Sequence, residues 1–189
     1  QIYKYRAFEL LVTLDLEIYK AKRRLIVPAS IKLTDLHMAL QRVFGWRNYH
    51  LYDFTVYEKD SQETVARLIP FEEDPEYDPE AIPIANHVLS EFLNEGNSII
   101  YRYDFGDNWE HEIQLIKELE DHGQDSPFLL EAVGQAPPED VGGVGAFIWF
   151  REAFLDPNHS EHEDMVEWAR LWAPELRPWE STPGLIRMG

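Results

Sequence analysis

The 189-residue sequence contains no cysteine. Disulfides, thiolate metal ligands, iron–sulfur clusters and thiol nucleophiles are therefore excluded, and a reducing cytoplasm is the expected compartment. The chain also lacks any run of about 18 apolar residues, so no membrane-spanning helix is expected. Charges near the N-terminus interrupt any apolar core that a signal peptide would need.

Basic residues are scarce, and most of the imbalance lies after residue 50. Lys and Arg number 17 against 35 Asp and Glu, which gives a formal net charge of -18. The first 50 residues carry nine basic and four acidic side chains, whereas the remainder carries eight and 31. Such a surface repels a phosphate backbone, so broad nucleic-acid binding is not expected. The early basic cluster would either contact phosphate locally or pair with acidic side chains of the same chain; its members are Lys20, Lys22, Arg23 and Arg24.

The composition supports a folded core, because 44% of the residues are hydrophobic and 13% are aromatic. We expect one domain over residues 1–189, with a core at about 3–172 and a poorly patterned tail at 173–189. Tryptophans are expected to form core and cleft walls rather than platforms for nucleic-acid bases.

Alternating apolar residues predict strands at 5–17, 24–28 and 50–57, and a hairpin whose strands span 98–105 and 109–119. Helical spacing predicts helices at 33–44, 84–93, 147–155 and 161–172. Ser30 or Thr34 would cap the first helix and Gly45 would end it. Strands and helices alternate without βαβ regularity. The expected class is therefore α+β, a single roll-like domain with a mostly antiparallel sheet and about four helices.

No nucleotide-binding loop, nucleophile elbow or zinc-binding helix motif is present. Carboxylates and imidazoles are instead dense in the hairpin turn, after a Pro-Pro pair and before the last helix. These candidates are Asp104, Asp107 and His111, then Glu139 and Asp140, then His159 and His162. If the three segments meet in space, their oxygen and nitrogen atoms would bind a divalent cation such as Zn²⁺, Mn²⁺ or Fe²⁺.

Each of these segments also has an interpretation that needs no ligand. Asp104 would accept hydrogen bonds from backbone amides of the turn, and the acids after the Pro-Pro pair would cap the following helix. Asp156 or Ser160 would cap the last helix. His37 is expected to be a satisfied, half-buried histidine, and His50 could face either side of its strand.

Several segments together resemble a known family. The most specific are Tyr103-Asp104-Phe105-Gly106-Asp107-Asn108-Trp109 and Pro137-Pro138-Glu139-Asp140-Val141-Gly142-Gly143, supported by residues 23–28, 36–46, 50–54 and 159–163. In this order, from about residue 3 to about residue 172, the chain resembles the plasmid-pRiA open-reading-frame-three-like family. Members of that family are also met as passenger proteins of insertion sequences.

The resemblance implies a single α+β roll-like domain in a family without an established biochemical role. Some relatives carry a resolvase-like label, but this chain shows no recombinase nucleophile with an arginine cluster. Tyr52 stands where relatives often have a second histidine, Lys22 where they often have tryptophan, and Val141 where many have cysteine.

Two functions are in competition. The leading one is a non-enzymatic, mobile-element-associated binding or adaptor module for an unknown protein partner or small ligand. Its surface would be the groove framed by the hairpin turn, the Pro-Pro segment and residues 159–162. The alternative is a metal-dependent hydrolase or nuclease that uses a remaining carboxylate as general base. A third hypothesis is DNA contact through the basic cluster.

Overall fold

The computed structural model describes residues 5–72, 78–123, 125–173 and 184–185. Within these ranges nine strands form one sheet in the order β5-β4-β3-β6-β7-β1-β2-β8-β9. The strands are β1 Tyr5–Asp15, β2 Lys20–Pro28, β3 Tyr52–Glu58, β4 Thr64–Ile69, β5 Ile82–Pro83, β6 Asn97–Tyr103, β7 Trp109–His122, β8 Phe128–Val133 and β9 Gly184–Leu185. The helices are α1 Leu33–Phe44, α2 Gly143–Leu155 and α3 His162–Trp172. Most of the expected tail lies outside the described residues.

The sheet is antiparallel except for the short parallel pairing of β4 with β5. The predicted α+β class with a mostly antiparallel sheet is therefore confirmed. Strand β1 lies at its centre, between β2 and β7. Its alternate residues Phe8, Leu10, Val12 and Leu14 are buried on one face, as the two-residue side-chain period of a strand requires.

Helix α1 covers this buried face. Its apolar side includes Leu36 and Leu40, and Gly45 ends it in the left-handed conformation with φ of 75°. The predicted bounds and C-terminal glycine are confirmed. The predicted N-cap is wrong, because Lys32 occupies that position and no side chain caps the helix.

The prediction of a helix at residues 84–93 is also wrong, so the described residues contain three α-helices instead of about four. Residues 84–93 follow the two-residue strand β5 and contain only a single 3₁₀ turn, Leu89–Glu91. Asn86 adopts a left-handed φ of 65°, which interrupts any helix. The backbone also pairs outside the segment: Ile84 N–H donates to the Ile69 carbonyl and Leu89 N–H to the Ile31 carbonyl. Long-range backbone pairing therefore overrides the helical spacing of the apolar residues.

The last two helices are present with shifted bounds. Helix α2 begins at Gly143, before the predicted start. Its sequence is apolar nearly all round, which predicts burial, but Trp149 and Leu155 are exposed. Glu161 is the N-cap of α3 and makes no side-chain cap bond, so neither Asp156 nor Ser160 caps it. None of the helices in the described ranges is long and apolar enough to cross a membrane.

The predicted hairpin is confirmed as β6 and β7, with Tyr103 opposite Trp109. Strand β3 pairs with the other side of β6, which places Tyr52 opposite Tyr103. The Asp104 N–H donates to the Leu51 carbonyl at 3.0 Å. The start of β3 and the end of β6 therefore bring the segment before β3 next to the hairpin turn.

Candidate functional site

A buried polar network fixes the segment between α1 and β3. His37 Nδ1 lies 2.6 Å from the Tyr101 hydroxyl, and its Nε2 lies 2.7 Å from Asn48 Oδ1. Gln41 donates to the same hydroxyl at 2.8 Å and accepts the Asn48 N–H at 2.7 Å. Burial lowers the pKa of His37 to about 4, so the ring is neutral at pH 7 and both nitrogens are satisfied. The network ties Asn48 to α1 and, through His37 and Gln41, to Tyr101 on β6.

His111, one of the predicted ligands, supports this segment from within the core. It is fully buried; Trp46 Nε1 donates to its Nε2 at 3.1 Å, and its Nδ1 lies 2.8 Å from the Tyr101 carbonyl. Burial lowers its pKa to about 4. Both nitrogens of the neutral ring are engaged, so in this arrangement His111 anchors Trp46.

The two carboxylate oxygens of Asp104 have different neighbours, one in the hairpin turn and the other in the candidate site. Its Oδ1 accepts the N–H groups of Gly106 at 3.0 Å and Asp107 at 3.2 Å. This confirms the expected bond to turn amides, and the left-handed φ of 61° at Asp104 is one that Asp tolerates. Its Oδ2 faces His50, at 3.5 Å from Nε2.

Glu139 brings a second buried carboxylate to the same place. Only 8% of the residue is exposed, and its Oε2 accepts the backbone N–H of Arg47 at 2.9 Å. Its Oε1 is buried and no donor in the described residues satisfies it. Burial raises the pKa of Glu139, against the opposing effects of the Arg47 amide, the Tyr103 hydroxyl and His50. The expected cap by the acids after the Pro-Pro pair is wrong, because Gly142 is the N-cap residue of α2 and makes no side-chain cap bond.

His50, Asp104 and Glu139 each offer one ligand atom, and these atoms all lie within 4.8 Å of one another. His50 Nε2 is 3.9 Å from Glu139 Oε1. Bonds of about 2.1 Å to a tetrahedral or octahedral cation separate neighbouring ligand atoms by about 3–3.5 Å. The 3.5 Å from His50 Nε2 to Asp104 Oδ2 matches this spacing, whereas the 3.9 Å to Glu139 Oε1 is longer and would have to shorten around a bound ion.

Asp140 completes the polar surface of this site. Its exposed carboxylate accepts a hydrogen bond from His50 Nε2 at 2.6 Å. Burial alone would lower the pKa of His50, but the bond to Asp140 and the negative charges of Asp104, Asp140 and Glu139 outweigh it and raise that pKa. A cation ligated by Nε2 would have to displace the proton that this atom donates to Asp140.

Asp107 joins the two carboxylate-bearing segments. Its Oδ2 accepts the N–H of Gly142 at 2.9 Å, and its own N–H bonds Asp104. Gly143 has a φ of 91°, and a Cβ there would lie 3.1 Å from the Asp107 carbonyl oxygen. The second glycine of the Gly-Gly pair thus permits the close approach that holds Glu139 near Asp104.

The two other predicted histidines make local contacts between α2 and α3. His159 Nδ1 accepts the Glu161 N–H at 3.1 Å, and His162 Nδ1 lies 2.8 Å from the Ala153 carbonyl. Neither belongs to the ligand-distance group found in the described part of the chain. His50 was absent from the predicted ligands because its position depends on β3 pairing with β6. The signals in the sequence were its place at the start of a predicted strand and within the family-like segment 50–54.

The four residues of the basic cluster differ in how far they are buried. Arg23 is 2% exposed and donates to the carbonyls of Lys22, Val43, Val133 and Gly134. Burial lowers its pKa to about 10. Arg24 pairs with Glu9 at 2.9 Å and Glu131 at 3.7 Å, whereas Lys20 and Lys22 are exposed. Pairing within the chain therefore applies to Arg24, and Arg23 is enclosed in the structure.

Within the residues described, these features define an α+β domain in which a half-buried imidazole, His50, meets two buried carboxylates at the end of the sheet. The chain matches the family described as "Plasmid pRiA4b ORF-3-like protein" over residues 6–179 and belongs to it. Uncharacterized protein y4hQ of Sinorhizobium fredii is 39% identical over 159 residues, which are 83% of this chain and 77% of that protein. The crystal structure of the protein of unknown function MM3350 from Methanosarcina mazei Go1 is similar, with a TM-score of 0.79 and 29% identity. The structural match covers 95% of this chain and 96% of the MM3350 chain.

Proposed function

We propose that this domain is a binding module whose primary ligand is a divalent cation, held by His50 Nε2, Asp104 Oδ2 and Glu139 Oε1. The observation that carries the proposal is the Oε1 of Glu139, a buried carboxylate oxygen without a hydrogen-bond donor in the described residues. Leaving a charged group buried and unsatisfied is costly. A cation would satisfy it and would neutralise its neighbours.

The electrostatics of the site also favour a cation. Asp104, Glu139 and Asp140 surround one histidine, so at neutral pH their negative charges repel one another at short range. The backbone around them is held by Asp107 and by the network beneath His50. The repulsion is therefore maintained by the fold, and a divalent cation would relieve it.

The donor set selects the class of cation. One imidazole and two carboxylates, without any thiolate, suit Zn²⁺, Mn²⁺ or Fe²⁺ better than a soft metal such as Cu⁺. The three ligands come from the segment before β3, the turn after β6 and the segment before α2. Binding would therefore tie together three regions that are distant in sequence.

A second candidate function, metal-dependent hydrolysis, is favoured by one observation. Catalytic metal sites keep three protein ligands and an open position for water, and Asp140 places a further carboxylate 2.6 Å from the ligand atom of His50. Asp140 would act as the general base on a metal-bound water. The Asp140→Asn variant separates the two functions, because it should abolish turnover of a hydrolysable substrate while cation binding persists.

Cation binding is tested on protein purified without added metal, by elemental analysis and by titration calorimetry after chelation. We expect one equivalent of Zn²⁺, Mn²⁺ or Fe²⁺ per chain. Asp104→Asn keeps an oxygen for the turn amides but removes the charge, and His50→Gln removes the imidazole; each should weaken binding at least about tenfold. His87→Gln, at a partly exposed histidine bonded to Glu91, is the matched control. Failure of the wild-type protein to bind any of these cations would end the proposal.

A further inference from the structure

A cavity of about 430 Å³ lies on the face of the sheet opposite to the core. Asp53, Thr55 and Tyr57 of β3 line it, whereas Phe54 and Val56 between them point into the core, as the two-residue side-chain period of a strand requires. Residues of β4, β6 and β7 and of the segment before β5 complete the lining. None of them belongs to the candidate cation site.

Part of the lining is an ion-pair network that is complete by itself. Asp53 is 1% exposed, and its Oδ2 accepts hydrogen bonds from Arg102 at 2.7 Å and from Arg67 at 3.1 Å. Arg67 also pairs with Asp78 at 3.1 Å. Two guanidinium groups and two carboxylates therefore balance in charge. The network holds the surrounding strands together, and its guanidinium groups are already paired with carboxylates.

Two further carboxylates in the lining have no such partner. Glu80 and Glu110 are exposed, and no described residue forms a hydrogen bond or an ion pair with either carboxylate. The lining thus contains four acidic and two basic side chains, and its formal charge is -2. A cavity of this charge attracts an organic cation and repels an anion.

The two unpaired carboxylates come from opposite sides of this part of the sheet. Glu80 precedes β5 and Glu110 lies on β7, with β4, β3 and β6 between them. At about 4.8 Å per strand, the axes of β5 and β7 are about 19 Å apart. Half-buried apolar side chains, including Ile100 and Ala66, line the cavity between them. Negative groups on two sides of an apolar strip are the complement of a methylene chain with an ammonium group at each end.

We propose that this cavity binds a linear aliphatic polyamine, with its terminal ammonium groups at Glu80 and Glu110 and its methylene chain across Ile100. A monoamine would neutralise only one of the two carboxylates, and a neutral polyol would neutralise neither. The proposal is independent of the cation proposed for His50, because the two sites share no residue.

The experiment is titration calorimetry on the full chain with spermidine, putrescine, butylamine and glucose. An ionic strength of about 0.15 M largely screens exposed charges that are more than about 8 Å apart, which suppresses diffuse binding of a polycation. We expect one spermidine per chain, weaker binding of the shorter putrescine, and no binding of glucose. Butylamine should bind about threefold to fivefold more weakly than spermidine, the loss expected for one partly exposed ion pair. Absence of spermidine binding, or equal affinities for butylamine and spermidine, would overturn the proposal.

Two variants and a control test the residues. Glu80→Gln and Glu110→Gln should each weaken spermidine binding about threefold to fivefold. Glu120→Gln should leave it unchanged, because Glu120 is exposed on the same strand as Glu110 but does not line the cavity. Amide chemical shifts of the wild-type protein should change on β3, β4 and β6 around the cavity. An equal loss in Glu120→Gln, or shift changes spread over the whole acidic surface, would indicate diffuse adhesion to a chain of net charge -18 and would overturn the proposal.

Discussion

Replacing Glu139 by glutamine separates the cost of its buried charge from its role as a cation ligand. The amide has nearly the same shape, and its oxygen would still accept the Arg47 N–H that Oε2 accepts now. Its NH₂ group would take the place of the unsatisfied Oε1 and would donate toward the neighbouring carboxylates. Because burial raises the pKa of Glu139, the charged form is disfavoured in the folded state. We therefore expect the free energy of unfolding of the metal-free protein to rise by about 1 kcal/mol at pH 7.

The cation-bound state should respond in the opposite direction. For the wild type, a cation at a hundredfold excess over its Kd adds about 2.7 kcal/mol to the free energy of unfolding. For a chain of this size the increase corresponds to a rise in Tm of roughly 5–10 °C. Glu139→Gln removes one of three ligand atoms, so most of this rise should disappear.

The assay is thermal unfolding with chelator and with Mn²⁺ or Zn²⁺, for wild type and Glu139→Gln. Glu120→Gln, at an exposed glutamate on β7, controls for the loss of one negative charge. A variant that is less stable without metal yet keeps the full metal-induced rise in Tm would refute the reasoning, because Glu139 would then be a structural carboxylate.

Three further predictions concern the surroundings of the site. Gly143→Ala should lower the free energy of unfolding by about 1–2 kcal/mol and weaken cation binding, because the added Cβ would press on the Asp107 carbonyl. The control is Gly145→Ala, whose Cβ would meet no atom within 4 Å. In the same unfolding and titration assays it should be neutral or slightly stabilising. Arg23→Gln should lower the free energy of urea unfolding by about 3 kcal/mol and Lys22→Gln by less than about 0.5 kcal/mol, and similar losses would contradict the buried role of Arg23. The pKa of His111 is about 4 in the folded protein and about 6.5 in the unfolded chain. As the pH falls below about 6.5, this histidine is therefore protonated in the unfolded chain before it is protonated in the folded protein. Stability should therefore drop by about 1 kcal/mol from this residue between pH 7 and 5.5, and unchanged urea midpoints in chelator would oppose that assignment.

Local sequence patterns predicted correctly the elements whose apolar residues all lie on the face that packs in the core. Helix α1 and the β6–β7 hairpin were predicted because one face of each packs in the core and the turn residues are distinctive. The segment at 84–93 has helical spacing too, but its backbone pairs with residues far away in sequence. Strands β4 and β8 were not predicted, since neither has a regular alternation of buried and exposed residues.

The site was predictable only in part, for the same reason. Asp104 and Glu139 stood out in local motifs, and the structure places both in one cluster. His111 lies in the same motif as Asp104, yet the side-chain alternation of β7 points it into the core beneath Trp46. His159 and His162 had the spacing of ligands but bond to their own helix–helix connection.

The sequence by itself determined the α+β class, the absence of thiol chemistry and the family to which the chain belongs. These follow from composition and from short-range patterns, which do not depend on how distant segments pair. The tertiary structure alone decided that His50 joins Asp104 and Glu139, because β3 pairs with β6 and the Asp107–Gly142 bond joins the two carboxylate segments. It also decided that one carboxylate oxygen of Glu139 is buried without a donor in the described residues. Burial and proximity are properties of the packed chain, and they give this cluster its expected affinity for a cation.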